Sequence, residues 1–324
     1  MKNNKKILVI LPLDEIHRQL LENAIPNAEF FYADNRKIDD GIMESADIII
    51  GNPPRSLLKQ AKNLEWLQLE TSGANLYTAE GVLPENVQLT SATGCYGLAI
   101  SEYMISMVLN LFLKQNLYKE NQEKHLWHDE GRIKSIYGST ALILGMGNIG
   151  TEFAERFKAL GGHTIGVKRV PSAKPEFIDK LYLIDQLEEL LPRADVVAMS
   201  LPETKETIKL MDAHKLSLMK KEAILINVGR GSAVDTQALC DALNSGRLSG
   251  AALDVTDPEP VPPEHPLWDT KNLLITPHIA GNYNLPKSYE KVFQLCCENI
   301  KRYLSGETLH NLVDLNTGYK KHDQ

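Results

Sequence analysis

Three observations predict an α/β protein built of two parallel-sheet domains with a cleft between them. Apolar runs of strand length alternate with helical patterns from end to end, the arrangement that assembles parallel sheets from strand–helix–strand units. The alternation restarts at Thr140, after one long apolar helical stretch. At 324 residues the chain has room for two domains, each with its own core. The expected division is a first domain over 1–100, completed by 286–324, and a second over 101–285.

In the first part the strand candidates are ILVIL (7–11), AEFFYA (28–33), ADIII (46–50), LEWLQL (64–69) and VQLT (87–90), enough for one open five-stranded sheet. The opening MKNNKKILVILPLDE has the basic start and apolar run of a signal peptide. Asp14 and Glu15 follow that run with no small-residue cleavage site, so a first buried strand is expected instead. The run SEYMISMVLNLFLKQN (101–116) is apolar on nearly every side. Such a helix is expected to be buried all round, between domains or in a dimer interface.

In the second part the candidates are TALIL (140–144), TIGV (164–167), DVVAMS (195–200), AILINV (223–228), GAALD (250–254) and LLI (273–275). Six strands fit a doubly wound sheet. Beyond Pro286, the residues Tyr289, Val292, Phe293, Cys296, Ile300, Tyr303 and Leu304 follow helical spacing. This helix is expected to return to the first domain, and the tail KKHDQ to be disordered.

Composition narrows the partners. A net charge of -7 with no basic face argues against nucleic acid, and no window approaches a membrane span. A cytoplasmic protein acting on small molecules is expected. Cys95, Cys240, Cys296 and Cys297 have neither the density of a disulfide scaffold nor metal spacing, and read as small core side chains.

The motif GMGNIG (145–150) follows an apolar strand and precedes a helical stripe of Ile149, Phe153, Phe157 and Leu160. In that context it reads as a dinucleotide fingerprint. Gly145 allows the tight turn, Gly147 the approach of the pyrophosphate and Gly150 close helix–strand packing. Asn148 and Ile149 open the helix whose free N–H groups meet the phosphates. A Rossmann-type cofactor domain is expected; the alternative is a glycine-rich turn without ligand.

The second strand of that fold usually ends in an acid that binds the ribose hydroxyls, roughly 20 residues past the motif. Here the position holds Lys168, 18 residues past Gly150, followed by Arg169. A Lys–Arg pair can bind a 2'-phosphate, with Arg the better fork, so NADP (as NADPH) is the favoured cofactor. The alternative is a solvated basic turn, with NAD possible.

Three further strands end in charged residues. ILINVGRGSAVD (224–235) runs into Arg230, LDVTDPEP (253–260) into a cluster of acids, and LLITPHIAG (273–281) into His278. Open α/β sheets bind ligands at such ends. Beside a nicotinamide, an Arg, a Glu and a His suffice to reduce a 2-oxo acid. The guanidinium forks the carboxylate and polarises the carbonyl, and the imidazolium, favoured by a paired carboxylate, delivers the proton.

Over nearly its whole length the chain resembles the D-isomer-specific 2-hydroxyacid dehydrogenase family. The resemblance rests on TIKLMDAHKLSLMKKEAILINVGRGSAVD (207–235) and GAALDVTDPEPVPPEHPLWDTKNLLITPHIAG (250–281). It implies Arg230, Glu259 and His278 as catalytic residues and a flavodoxin-like substrate domain. LETSGANLYT (69–78) resembles the loop whose amides hold the substrate carboxylate, which implicates Ser72 and Gly73. SLPET (200–204) resembles the loop over the adenosine, with Leu201 and Pro202; Val228 is implied in cofactor binding and Asp254 at the nicotinamide carboxamide. A homodimer through the cofactor domain is implied too, with its arm between the apolar helix and Trp127.

The chain departs from the family pattern at Lys168, at Thr256, where Phe is frequent, and at Asn75, where Asp is frequent. It also ends soon after the returning helix, which makes a phosphoglycerate dehydrogenase with a regulatory domain a weaker expectation. The leading expectation is an NADPH-preferring reductase of glyoxylate or hydroxypyruvate. The alternative is a nucleotide-sensing, corepressor-like interaction protein on the same scaffold, which fold alone does not exclude.

Overall fold

The computed structural model describes residues 4–34, 37–318 and 320–321. In chain order the elements are β1 (Lys5–Val9), α1 (Glu15–Ala24), β2 (Ala28–Tyr32), α2 (Asp40–Ser45), β3 (Ile48–Ile50), β4 (Trp66–Gln68), β5 (Gln88–Thr90), α3 (Gly97–Phe112) and α4 (Gln115–Glu123). Then come β6 (Thr140–Leu144), α5 (Asn148–Ala159), β7 (His163–Lys168), β8 (Lys180–Leu183), α6 (Leu187–Leu190), β9 (Val196–Met199), α7 (Ala213–Leu218), β10 (Ile224–Asn227), α8 (Thr236–Asn244), β11 (Gly250–Leu253), β12 (Leu273–Ile275) and α9 (Pro286–Leu304). They divide into two units, Met1–Tyr96 with Leu285–Gln324, and Gly97–Asn284.

The first unit carries a five-stranded sheet in the order β2-β1-β3-β4-β5, every pair parallel, the flavodoxin-like order expected. Its core gathers Leu8, Ile49, Leu58, Leu67 and Leu89. Helix α9 belongs to this unit and buries Val292, Phe293, Cys296 and Ile300. Part of the tail is ordered. Lys320 forms a bridge with Val313 and Lys321 N–H donates to Leu312 O at 2.7 Å, so pairing overrides the expected disorder there. His322, Asp323 and Gln324 lie outside the described residues.

The second unit has seven strands, not six, in the order β12-β11-β10-β9-β6-β7-β8, all parallel. The strand missed by the sequence reading is β8, KLYL, at the sheet edge. It begins with exposed Lys180 and is otherwise half-buried, so it lacks the apolar run of a central strand; charged edges are how sheets avoid pairing with other chains. Strands β9, β10 and β11 are buried at every residue, as strands covered on both faces must be.

Helix α3 differs from the expectation at both ends. It starts at Gly97 and stops at Phe112, because Lys114 adopts a left-handed φ of 57° and α4 departs at 65°. Within the chain it is buried along one stripe, Ile100, Met104, Val108 and Phe112, whereas Glu102, Ser106 and Leu109 are exposed. The expectation of burial all round is therefore corrected for the single chain. Helix α5 likewise buries Phe153 and Phe157 but leaves Leu160 exposed at its C-terminus. Among the described residues no single helix is long and apolar enough to cross a membrane.

Candidate active site

In the second unit the chain reverses direction across the sheet between β6 and β9, and a ligand crevice opens at such a switch point. Gly145, just past β6, takes φ +99°, and a side chain there would meet Ser200 O at 3.0 Å. Only glycine supplies that conformation without strain. At Gly150 a Cβ would lie 2.1 Å from Gly145 O, so the helix sits directly on the turn. Around Gly147 there is open space, and as the N-cap of α5 it makes no side-chain cap. The first-turn N–H groups, including those of Asn148 and Ile149, are thus left for a ligand, at the positive end of a 12-residue helix. A dinucleotide pyrophosphate fits this cradle.

Lys168 ends β7, and its Nζ donates to Ser172 Oγ at 2.7 Å. Arg169 follows, exposed, within electrostatic reach of Glu206. Across the crevice, Ser200 Oγ donates to Gly145 O at 3.0 Å, and Thr207 Oγ1 donates to Pro202 O at 2.8 Å. Leu201 and Pro202 are half-buried and Val228 is buried.

The Gly-Arg-Gly turn is held by crowding, since neither glycine has a positive φ. A Cβ on Gly229 would lie 2.4 Å from Leu201 O, and one on Gly231 would lie 1.9 Å from Thr256 O. Buried Asn227 fastens the turn, accepting from Gly229 N at 3.0 Å and donating to Arg230 O at 2.9 Å. Arg230 Nη1 donates to Gly229 O at 2.7 Å. Burial lowers the guanidinium pKa, and nearby Glu203 and Glu259 work against that.

His278 and Glu259 are brought together: Nδ1 lies 2.7 Å from Glu259 Oε1, with both side chains partly exposed. A carboxylate can only accept, so Nδ1 carries the hydrogen and Nε2 is the ring position available to exchange a proton. His278 itself adopts a left-handed φ of 54°, which costs a non-glycine residue roughly 1–2 kcal/mol. Asp254, 3% exposed, holds that turn. Its Oδ1 accepts from Ile279 N at 2.9 Å and Thr276 Oγ1 at 2.6 Å, and its Oδ2 from Ala280 N at 3.0 Å. The sequence reading gave Asp254 only a part toward the cofactor.

In the first unit, the loop after β4 carries Ser72 and Gly73. Ser72 Oγ donates to Ala92 O at 3.2 Å, Thr71 Oγ1 to Gly73 O at 3.0 Å and Tyr96 Oη to Glu70 O at 2.6 Å. Asn52, after β3, accepts from Glu70 N at 3.1 Å and donates to Thr71 Oγ1 at 3.2 Å. Among the described residues neither the Ser72 nor the Gly73 amide donates to another protein atom.

Residues 105–280 match the family model of the D-isomer specific 2-hydroxyacid dehydrogenase NAD binding domain, more than half of the chain. The chain belongs to the D-isomer specific 2-hydroxyacid dehydrogenase family. It is thereby one of the NAD(P)-dependent enzymes that act on CH–OH donors. A solved member from Aeromonas salmonicida is 32% identical, with 96% of this chain and 99% of that one covered at a TM-score of 0.86. An NADPH-dependent glyoxylate/hydroxypyruvate reductase from Sinorhizobium meliloti, solved with NADP and sulfate, is 25% identical over 98% of this chain and 100% of that one, at 0.83. A glyoxylate reductase from Korarchaeum cryptofilum is 31% identical over 73% of this chain and 70% of that protein.

Proposed function

We propose that this dehydrogenase is an NADPH-preferring reductase of small 2-oxo acids, foremost glyoxylate and hydroxypyruvate, to D-2-hydroxy acids. The observation that carries the chemistry is the 2.7 Å pairing of His278 Nδ1 with Glu259 Oε1. It fixes the ring so that Nε2 holds and releases the proton that the carbonyl oxygen takes up. Arg230 grips the substrate carboxylate and polarises the carbonyl, and the Ser72 and Gly73 amides of the first unit are assigned to substrate binding. When bound, the nicotinamide supplies the hydride.

Gly145, Gly147, Asn148, Ile149 and Gly150 are assigned to the pyrophosphate, Leu201 and Pro202 to the adenosine, Asp254 to the nicotinamide carboxamide, and Val228 to the cofactor. A carboxylate has about four acceptor positions, so Asp254 can serve both its own loop and a carboxamide. Lys168 and Arg169 are assigned to the 2'-phosphate; the two cations at the end of β7 and the NADPH-dependent relative support that preference. The reading extends to a cytoplasmic homodimer joined through the unit Gly97–Asn284, with no nucleic-acid or membrane partner.

The test is steady-state reduction of glyoxylate, hydroxypyruvate, pyruvate and a branched 2-oxo acid with NADPH and NADH in parallel. Faster turnover of the first two with NADPH is expected. Equal or better use of NADH removes the cofactor assignment. Nucleotide binding without turnover of any acid removes the reductase in favour of a nucleotide-sensing role.

A further inference from the structure

We propose that Tyr103 is a positioning residue for the reaction, holding the turn that carries His278 through Thr276 and Asp254. Three successive amides of that turn end on one residue. His278 N donates to Asp254 O at 2.9 Å, Ile279 N to Oδ1 at 2.9 Å and Ala280 N to Oδ2 at 3.0 Å. The left-handed φ of His278 is thus imposed by Asp254, and its persistence depends on the Asp254 carboxylate staying in one orientation.

A second layer fixes that orientation. Thr276 Oγ1 lies 2.6 Å from Asp254 Oδ1 and 2.8 Å from Tyr103 Oη. A hydroxyl has one hydrogen to give. Thr276 gives its hydrogen to the carboxylate, which only accepts, so Tyr103 must be the donor to Thr276. Burial, the largest influence, pushes the Tyr103 phenol up to about 12, so the hydroxyl keeps its hydrogen at neutral pH. Tyr103 lies on α3, whereas Asp254 and Thr276 follow β11 and β12. The phenol therefore braces the turn from a separate element. Without its hydroxyl, Thr276 loses the bond that sets its rotamer, and the Thr276–Asp254 bond loosens with it.

The inference rests on the reading of His278 as the proton donor, and the experiment separates the two. Tyr103→Phe, Thr276→Val, the double variant, Thr276→Ser and His278→Ala are compared in the full chain, each first checked for cooperative thermal unfolding. With the best oxo acid of the panel, Tyr103→Phe and Thr276→Val should each lower kcat about tenfold, because small misplacements of a reacting group are costly. KM and NADPH affinity should stay within about twofold of the parent. The double variant should be no slower than Thr276→Val alone, since both changes break one chain of bonds. Thr276→Ser, which keeps the hydroxyl, should retain the parent rate.

Hydrogen exchange at the 278–280 amides, measured without substrate or cofactor, should accelerate about tenfold in Tyr103→Phe. Unaltered exchange together with an unaltered kcat overturns the inference, as do losses that multiply in the double variant. Thr276→Val supplies the same comparison should Tyr103→Phe unfold. A full rate in His278→Ala overturns the acid/base reading instead, and the exchange result still decides whether Tyr103 braces the turn.

Discussion

The His278–Glu259 pair makes a direct demand on mutants. His278→Ala removes the group proposed to move the proton, and general acid–base groups contribute about 10²–10⁴ in rate. We expect kcat to fall in that range while NADPH affinity, read by fluorescence titration, stays within about twofold; a parent-like kcat would remove His278 from the mechanism. Lys168→Ala with Arg169→Ala should raise KM for NADPH by about tenfold and leave NADH use unchanged, since only the former carries the extra phosphate. Arg230 and His278 were legible as ionisable residues just past apolar strands, whereas Glu259, one of several acids after β11, was singled out by the family resemblance. Tyr103 and Thr276 were not, because they lie 173 positions apart and only the fold brings them into contact. Asn227 and Asn52 left a fainter mark, as single amides closing otherwise apolar or turn segments.

The elements of the second unit are fitted to one another at glycines. A methyl on Gly231 would overlap Thr256 O, which is backbone and cannot swing aside. Overpacking of this kind costs about 1–3 kcal/mol. Gly231→Ala should therefore lower the denaturant midpoint and cut kcat/KM by displacing Arg230; unchanged values of both would mean the turn has room to spare. Most of the parallel sheet was legible because its central strands are uninterrupted apolar runs. The edge strand β8 was not, because solvent on one side relaxes the demand for apolar residues, and the α3–α4 break was not, because Lys114 is no helix breaker by type.

Between α1 and α9 of the first unit, His17 supplies a pH-dependent tie. Burial alone lowers its pKa, but hydrogen bonds to Asp14 at 2.6 Å and Glu290 at 3.1 Å outweigh that, and the net shift is upward. A raised folded-state pKa gives stability that is complete below the unfolded value, about 6.5 for histidine, and is lost as pH rises through the folded value. The gap in thermal midpoint between the parent and His17→Asn should therefore be widest near pH 6 and narrow on the alkaline side. A gap constant with pH would mean that the ring acts only through its packing on Tyr289 and Phe293.

At the scale of the whole molecule, the sequence predicted a helix buried all round, between domains or in a dimer interface, and the single chain leaves part of it uncovered. The outer face of α3 exposes Leu109, and the segment after α4 exposes Leu126, Ile133 and Tyr137, with Trp127 104% exposed. Monomers seldom leave large aromatic side chains so bare within one stretch, whereas Trp and Tyr are enriched where subunits meet. The proposed homodimer accounts for both the composition of α3 and the exposure of this segment. Light scattering should give a mass near twice the 36.2 kDa of the chain, and Trp127→Asp should move the population toward a single chain. The thermal midpoint should fall on dilution, because association stabilises only the folded state. A parent mass of 36.2 kDa across the concentration range would mean that this apolar surface serves another partner.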